Sequence, residues 1–215
     1  MSRLKSQYHF VNTKTGTAYG GNQAWFPYKF LRKTGCGVIS ASDVLMHMQG
    51  KAELSEQEYM EFAKHLWLHY LPVIPGFGMN GLTLMLGLNR YFVNHHMPYR
   101  ACWKLSAKKM LNRIDEMLEK DIPAILAVGP NFPDFWGKKK LNFYTKTSIG
   151  TYIPDAKTKS HFVTVTGRDG IYLQISSWGK KYYIDIREYR EYVRRYSSPL
   201  VSNTIYITKI VKSRM

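Results

Sequence analysis

The chain has 215 residues, of which 45% are hydrophobic and 14% aromatic, enough apolar material for one folded domain with a substantial core. It has no run of about 18 apolar residues, and no apolar segment follows the basic start MSRLK, so the sequence predicts neither a membrane span nor a secretory signal, and we expect a cytoplasmic protein. The formal net charge is +16, and 21 of the 31 Lys and Arg follow residue 100, which is compatible with an anionic partner of the basic C-terminal half or with a solvated basic face.

A Gly- and Thr-rich segment at 12–23, NTKTGTAYGGNQ, is interpreted as a loop. A short run follows it, AWFPYKFLRKTG, and the first predicted helix comes next. The helix begins near Cys36 and ends at Gly50. Its apolar positions recur every three or four residues: Val38, Ala41, Leu45 and Met48. Its polar residues fall elsewhere on the helical wheel: Ser40, Asp43 and His47.

Three further helices are predicted from their capping signals. Ser55 and Glu58 have the spacing of a capping box, in which each side chain bonds the other residue's backbone N–H. Asn80 and Ser106 are predicted to cap the two helices that follow, GLTLMLGLNRYFVN and AKKMLNRIDEMLEK.

The second half of the chain is predicted to be mostly β. Short apolar or alternating runs bounded by turn residues indicate the strands: IPAILAVG, HFVTVTGRDG, IYLQISSWG, KYYIDI and NTIYITKIV, with a short helix in REYREYVRRYS. We therefore expect a single α+β domain over 1–215, mostly helical over about 20–125 and mostly β over about 122–211.

Cys36 lies between two glycines at the start of the first predicted helix. The first-turn N–H groups and the helix dipole favour a thiolate there, and a neighbouring imidazolium would lower the thiol pKa further. Gly35 and Gly37 would let a substrate carbonyl approach the thiol, and they would leave backbone N–H groups available to donate to an oxyanion. Cys36 is therefore a candidate nucleophile, with a buried structural thiol as the alternative; Cys102 lacks these signals and is predicted to be a core thiol.

A base for this thiol is expected at His161, the first residue of a predicted strand, from which a side chain can project at the sheet edge. The other six histidines fall on predicted helices, in a turn or near the terminus. The next strand ends in SSWG, and a hydroxyl there could fix the imidazole tautomer. Ser176 is the first candidate for this role and Ser177 the alternative, with Trp178 covering the contact from water.

The order GCGVISASDVL, IPAILAVG, SHFVTVTG and SSWG resembles that of papain-like cysteine peptidases, especially bacterial groups related to the bacteriocin-leader-processing peptidases. The resemblance implies a papain-like fold, in which a helical lobe carrying Cys36 packs against an antiparallel sheet carrying His161. It also implies a peptide or protein substrate, cleaved at an amide bond through a thioester; acyl transfer to an amine remains open.

Two positions depart from the pattern of that family. The family's oxyanion glutamine normally lies six residues before the cysteine, where this chain has Phe30, so Gln23 or its neighbour Asn22 is the candidate instead. The family's Asn-Ser-Trp-Gly resembles SSWG, with Ser176 in the place of asparagine, and a serine carries no charge to stabilise an imidazolium.

These departures leave a second function open, a catalytically weak or inactive papain-like binding module. Basic residues alternate with tyrosines in KKYYIDIREYREYVRRYS at 180–197, a pattern suited to nucleic acid or an acidic protein. The Cys and His spacing matches no zinc site and there is no phosphate-binding glycine loop, so neither a metal nor a cofactor is expected. The sequence does not determine the oligomeric state.

Overall fold

The fold is α+β, as the sequence predicts: most helices come before residue 120, and a large antiparallel sheet is built mainly from strands after residue 99. The computed structural model of the chain describes residues 2–76, 78–105, 109–129, 139–196 and 201–210. Within these ranges, no helix combines the length and the apolar character needed to cross a membrane.

Five of the six described helices, all except α1, begin close to their predicted positions. The six are α1 Lys29–Thr34, α2 Cys36–Met48, α3 Glu56–His69, α4 Gly81–Asn94, α5 Met110–Glu119 and α6 Ile186–Tyr196. The capping box of α3 is confirmed, since the Glu58 N–H donates to Ser55 Oγ at 3.2 Å and the Ser55 N–H donates to the Glu58 carboxylate at 2.8 Å. Asn80 caps α4 by accepting from the Thr83 N–H at 2.8 Å. Ser106, the predicted cap of the next helix, lies outside the described residues.

The strands form one large and one small sheet. They are β1 Ser2–Arg3, β2 Phe10–Thr13, β3 Gly16–Tyr19, β4 Glu53–Ser55, β5 Tyr99–Leu105, β6 Ala124–Val128, β7 Leu141–Lys146, β8 Tyr152–Thr158, β9 His161–Asp169, β10 Tyr172–Ser177, β11 Lys180–Asp185 and β12 Val201–Lys209. The large sheet has the order β5-β12-β6-β9-β10-β11-β7-β8, with antiparallel pairings, and β1 pairs with the C-terminal end of β9. The small sheet has the order β3-β2-β4. Strand β9 therefore lies in the middle of the large sheet.

Several elements are not predicted by the sequence pattern. The segment interpreted as a loop contains the end of β2 and the whole of β3, which pair as a hairpin; its residues 12–18 are exposed or half-buried and show no alternating apolar pattern. Strands β5, β7 and β8 and helix α1 are also unpredicted. Strand β8 is mostly exposed and contains Pro154, which is tolerated because β8 is an edge strand.

Helix α2 lies between the large sheet and helices α3 and α4. All residues from Gly37 to His47 are buried, so the helix is enclosed on every side. Its polar residues, predicted to lie off the apolar face, are buried as well: Ser40, Asp43 and His47. Buried polar groups need hydrogen-bond partners, so the surroundings of α2 must supply them.

Candidate active site

Cys36 is the first residue of α2, as predicted, and its thiol faces strand β9. Gly35 separates α1 from α2 at this point. Three backbone N–H groups favour ionisation of the thiol and so lower its pKa, those of Phe162, Gly37 and Cys36. The first turn of the helix and one residue of the central strand thus surround the thiol with donors.

Close packing requires the glycine at 35 and leaves little room for a side chain at 37. A Cβ at Gly35 would lie 2.6 Å from the Leu31 carbonyl oxygen, closer than real contacts allow. A Cβ at Gly37 would lie 3.3 Å from the Phe162 ring. The glycines therefore let α1, α2 and β9 approach one another around the sulfur.

His161 occupies the first position of β9, as predicted, and its imidazole is held from two sides. Its Nε2 lies 2.8 Å from Ser177 Oγ on β10. The Trp178 ring stacks on it, with the ring centroids 4.6 Å apart and the planes inclined by 22°. Only 8% of the His161 surface remains exposed, so the ring is fixed in a nearly dry environment.

The structure corrects the predicted partner of His161, which is Ser177 and not Ser176. Successive side chains of a strand point to opposite faces, so the two serines cannot both reach the imidazole. Ser176 Oγ lies 2.9 Å from the Tyr19 carbonyl oxygen and 3.1 Å from Asp43 Oδ2. The geometry therefore supports Ser177, the alternative candidate for the hydroxyl that orients the imidazole.

The turn that carries Trp178 is attached to the loop between β3 and α1. Trp178 has a φ of 51°, a left-handed conformation that costs a non-glycine residue about 1–3 kcal/mol. Two backbone hydrogen bonds flank it: Gly179 N–H donates to the Gly21 carbonyl at 2.9 Å, and Tyr19 N–H donates to the Gly179 carbonyl at 2.8 Å. These bonds maintain the turn in the conformation that stacks Trp178 on the imidazole.

Gln23, the predicted oxyanion donor, begins a 3-10 turn, and its amide is engaged with α1. Its Nε2 donates to the Arg32 carbonyl at 2.8 Å. In an uninterrupted helix that carbonyl would accept the N–H of Cys36, four residues later. A primary amide carries two N–H groups, so this bond uses one of them. The alternative, Asn22, caps the 3-10 turn by accepting from the Ala24 N–H at 2.9 Å.

Burial keeps both ionisable groups of the site neutral. It raises the pKa of the Cys36 thiol, and the backbone N–H groups around the sulfur oppose this only in part. It lowers the pKa of His161 to about 3. The resting state near neutral pH is therefore a thiol and a neutral imidazole, which corrects the expectation of a thiolate stabilised at the helix start.

Cys36 and His161 are neighbours through the backbone and not through their side chains. The N–H of Phe162, the residue that follows His161, is the backbone group that most favours ionisation of the thiol. Among the residues that the structure describes, no hydrogen bond joins the sulfur to the imidazole, whose Nε2 is bonded to Ser177. Catalytic hydrogen bonds are often long or poorly aligned in the absence of substrate.

Asp43 is a buried carboxylate near the site that the sequence analysis did not single out as functional. It lies on α2, and its surface is only 1% exposed. The sequence signal that could have identified it is an acidic residue inside a mostly apolar helix. A carboxylate in such a position is buried only if several hydrogen-bond donors surround it.

In the described ranges, no group of three or more His, Cys, Asp or Glu side chains could hold a metal ion. Cys102, the predicted core thiol, is a free cysteine on β5 that packs partly buried against the core. It provides a second thiol of similar exposure with which Cys36 can be compared.

Sequence comparisons assign the chain to no family, since no protein-family model matches it and no curated protein matches it significantly. A function has to be inferred from the chemistry of the site.

Proposed function

We propose that the chain is a thiol hydrolase of papain-like fold, and specifically a cysteine peptidase acting on peptide amide bonds through Cys36 and His161. The main support is the way His161 is held: its Nε2 is bonded to Ser177, and its ring lies under Trp178. The backbone N–H of the next residue, Phe162, favours ionisation of the Cys36 thiol. A nucleophile at a helix start, a base on the facing strand and a hydroxyl that fixes the base are the parts such a reaction requires.

The reaction starts from the neutral pair. Nε2 of His161 is bonded to Ser177, so Nδ1 accepts the proton of Cys36 as the sulfur attacks the acyl carbon. The imidazolium then returns this proton to the leaving amine, and a thioester remains on Cys36. Water, deprotonated by the same imidazole, hydrolyses the thioester and restores the thiol.

The negative charge of the tetrahedral intermediate requires donors close to Cys36. The N–H groups of Cys36 and Gly37 already face this region in the resting site. Gln23 contributes its second amide N–H from the 3-10 turn, while its first holds the end of α1 through Arg32.

The pH dependence of Cys36 acylation tests this proposal. We expect 4-nitrophenyl acetate to acylate Cys36 with a rate constant that changes less than about threefold between pH 5 and 8, because a base with a pKa of about 3 stays deprotonated over that range. A small-molecule thiol without a neighbouring base, such as N-acetylcysteine, should react about tenfold faster for each pH unit below its pKa, because its thiolate fraction rises in that proportion. The nitrophenolate burst measures the rate, and peptide mass mapping assigns the acylated residue.

A Cys36 rate that rises with pH as steeply as that of the small-molecule thiol would refute the paired mechanism. An acid limb centred near the ordinary histidine pKa would show that His161 is not the buried neutral base described above. Peptide hydrolysis is then measured on a mixed peptide substrate, with Cys36→Ala as the blank.

A second candidate function is a binding module for an anionic partner, with little or no catalysis. Two observations favour it: the site holds a neutral thiol, and helix α6 presents highly exposed arginines. The Arg187 and Arg194 side chains are 72% and 74% exposed. Part of this charge is balanced locally, because Glu191 pairs with Arg194 and Arg195.

Salt dependence of nucleic-acid binding tests the second candidate. If all four arginines of α6 meet phosphates, the slope of log affinity against log salt should reach about −3.6 on duplex DNA, at about −0.9 for each contact. Fluorescence anisotropy of a labelled duplex, recorded at several concentrations between about 50 and 200 mM salt, measures this slope. Arg190→Glu should reduce the slope and weaken binding, whereas Cys36→Ala should change neither; an equal loss in both variants would contradict this candidate.

A further inference from the structure

Asp43 is the centre of a buried polar cluster that joins every element of the candidate site. It lies seven residues after Cys36, so the two share a face of α2 and are separated by about 10 Å along the axis. Burial opposes its ionisation, but the hydrogen bond and charge of His9 and the hydrogen bond of Tyr59 outweigh it and hold the pKa of the carboxyl below its ordinary value. The group is therefore a buried carboxylate.

One carboxylate oxygen, Oδ1, faces the loop before α1 and the helical side. The Gly21 N–H donates to it at 2.9 Å and the Tyr59 hydroxyl at 2.6 Å. His9 Nε2 lies 3.2 Å away, and since a carboxylate only accepts, that nitrogen carries a proton. Gly21 is two residues before Gln23 and accepts from the Gly179 N–H beside Trp178.

The other oxygen, Oδ2, faces the large sheet. The Thr164 hydroxyl lies 3.2 Å from it on β9, three residues after His161. The Ser176 hydroxyl lies 3.1 Å from it on β10, directly before Ser177. One carboxylate thus contacts both strands that hold the imidazole while it is covalently part of the helix that starts with the thiol.

We propose that Asp43 is a positioning residue, whose carboxylate sets the distance and orientation between the Cys36 helix and the strands that carry His161 and Ser177. This inference rests on the proposed thiol hydrolase, and it assigns to that enzyme a group that touches neither substrate nor reacting atoms. A buried carboxylate with donors on both oxygens is strongly directional, because a small displacement of either strand leaves a buried charge short of a partner.

The test compares two serine variants that each remove one buried hydroxyl. Ser176→Ala removes the Asp43 contact on β10, beside Ser177. Ser42→Ala removes a hydroxyl of α2 that donates to the Val38 carbonyl at 2.9 Å. Under conditions where both variants are folded by circular dichroism, we expect Ser176→Ala to slow Cys36 acylation about tenfold. We expect Ser42→Ala to change it less than twofold, because its hydroxyl is equally buried but makes no hydrogen bond to Asp43.

A second readout does not require catalysis. The ring of His161 is followed by NMR between pH 5 and 8, where the wild-type ring should not titrate. Ser176→Ala should bring a titration into this range, because a loosened β10 admits water to the imidazole, and Ser42→Ala should not. Asp43→Asn should show the effect of Ser176→Ala in stronger form, with acylation slowed about thirtyfold or more.

The outcomes separate the two claims. If wild-type Cys36 is not acylated at all, the proposed function fails, and the His161 titrations still decide whether Asp43 positions the strands. If Ser176→Ala and Ser42→Ala change acylation and titration equally, or only in proportion to their loss of stability, Asp43 is a structural residue alone and the positioning role is overturned. Should Asp43→Asn not fold, the two hydroxyl variants decide the question.

Discussion

Replacing His161 by alanine is expected to slow the acylation of Cys36 by about 10² to 10⁴-fold, the range that a positioned general base contributes. The neutral resting pair makes the effect large, because burial raises the pKa of Cys36 and leaves little thiolate for an uncatalysed attack. The measurement is the nitrophenolate burst at pH 7, where the wild-type imidazole is already deprotonated. The rate of the variant should then rise with pH, as it does for a simple thiol.

Two controls accompany this variant. His65→Ala removes an exposed imidazole from α3 and should leave acylation unchanged. Ser177→Ala keeps the base but removes its hydrogen bond, and should slow acylation about three- to tenfold, since a neutral hydrogen bond contributes about 1 kcal/mol. An His161→Ala variant that reacts at the wild-type rate and with the wild-type pH profile would exclude this histidine as the base.

Local signals allowed the positions of the two principal residues to be predicted. A thiol between glycines at the start of an apolar periodic run indicated Cys36 at a helix start, and the structure places it there. A histidine at the start of an alternating run indicated the first residue of a strand, which is confirmed for His161. Neither position required knowledge of the rest of the fold.

The partner of His161 could not be predicted in the same way, because it depends on strand register. The pairing of β9 with β10 shifts between Gln174 and Ile175. A shift of one residue exchanges the two faces of a strand, so it decides whether Ser176 or Ser177 faces the imidazole. No residue type in IYLQISSWG marks that irregularity.

The electrostatics were mispredicted for a related reason. A helix start alone favours a thiolate, but α2 is enclosed on all sides, and desolvation then outweighs its N–H groups at Cys36. The sequence pattern predicted that only one face of α2 is buried, because Asp43 and the other polar residues of the helix are of types that usually lie at the surface. The structure buries them all the same. Enclosure was possible only because the sheet, the Gly21 loop and α3 provide donors to Asp43.

Truncating Phe143 should produce the largest loss of stability near the site. The ring is fully buried on β7, with its centroid 5.5 Å from that of Trp178 and 6.5 Å from that of His161. Phe143→Ala is expected to lower the free energy of unfolding by about 3–5 kcal/mol, from lost burial and the cavity left behind. The cavity should also release Trp178, so that water reaches His161 and its pKa rises from about 3 towards the ordinary range.

The matched control is Phe92→Ala, which removes an equally buried ring from α4, packed against Tyr91 and Tyr99. Urea unfolding should give a similar loss of stability in both variants, while NMR of the His161 ring should show a new titration only in Phe143→Ala. If Phe143→Ala is too unstable to study, Phe143→Leu leaves a smaller cavity and should show the same titration to a lesser degree. Titration in both alanine variants would mean that global loosening of the fold exposes the imidazole. Titration in neither variant would mean that Trp178 stays on the imidazole without Phe143. The dry environment of His161 would then have to come from the β9–β10 pairing alone.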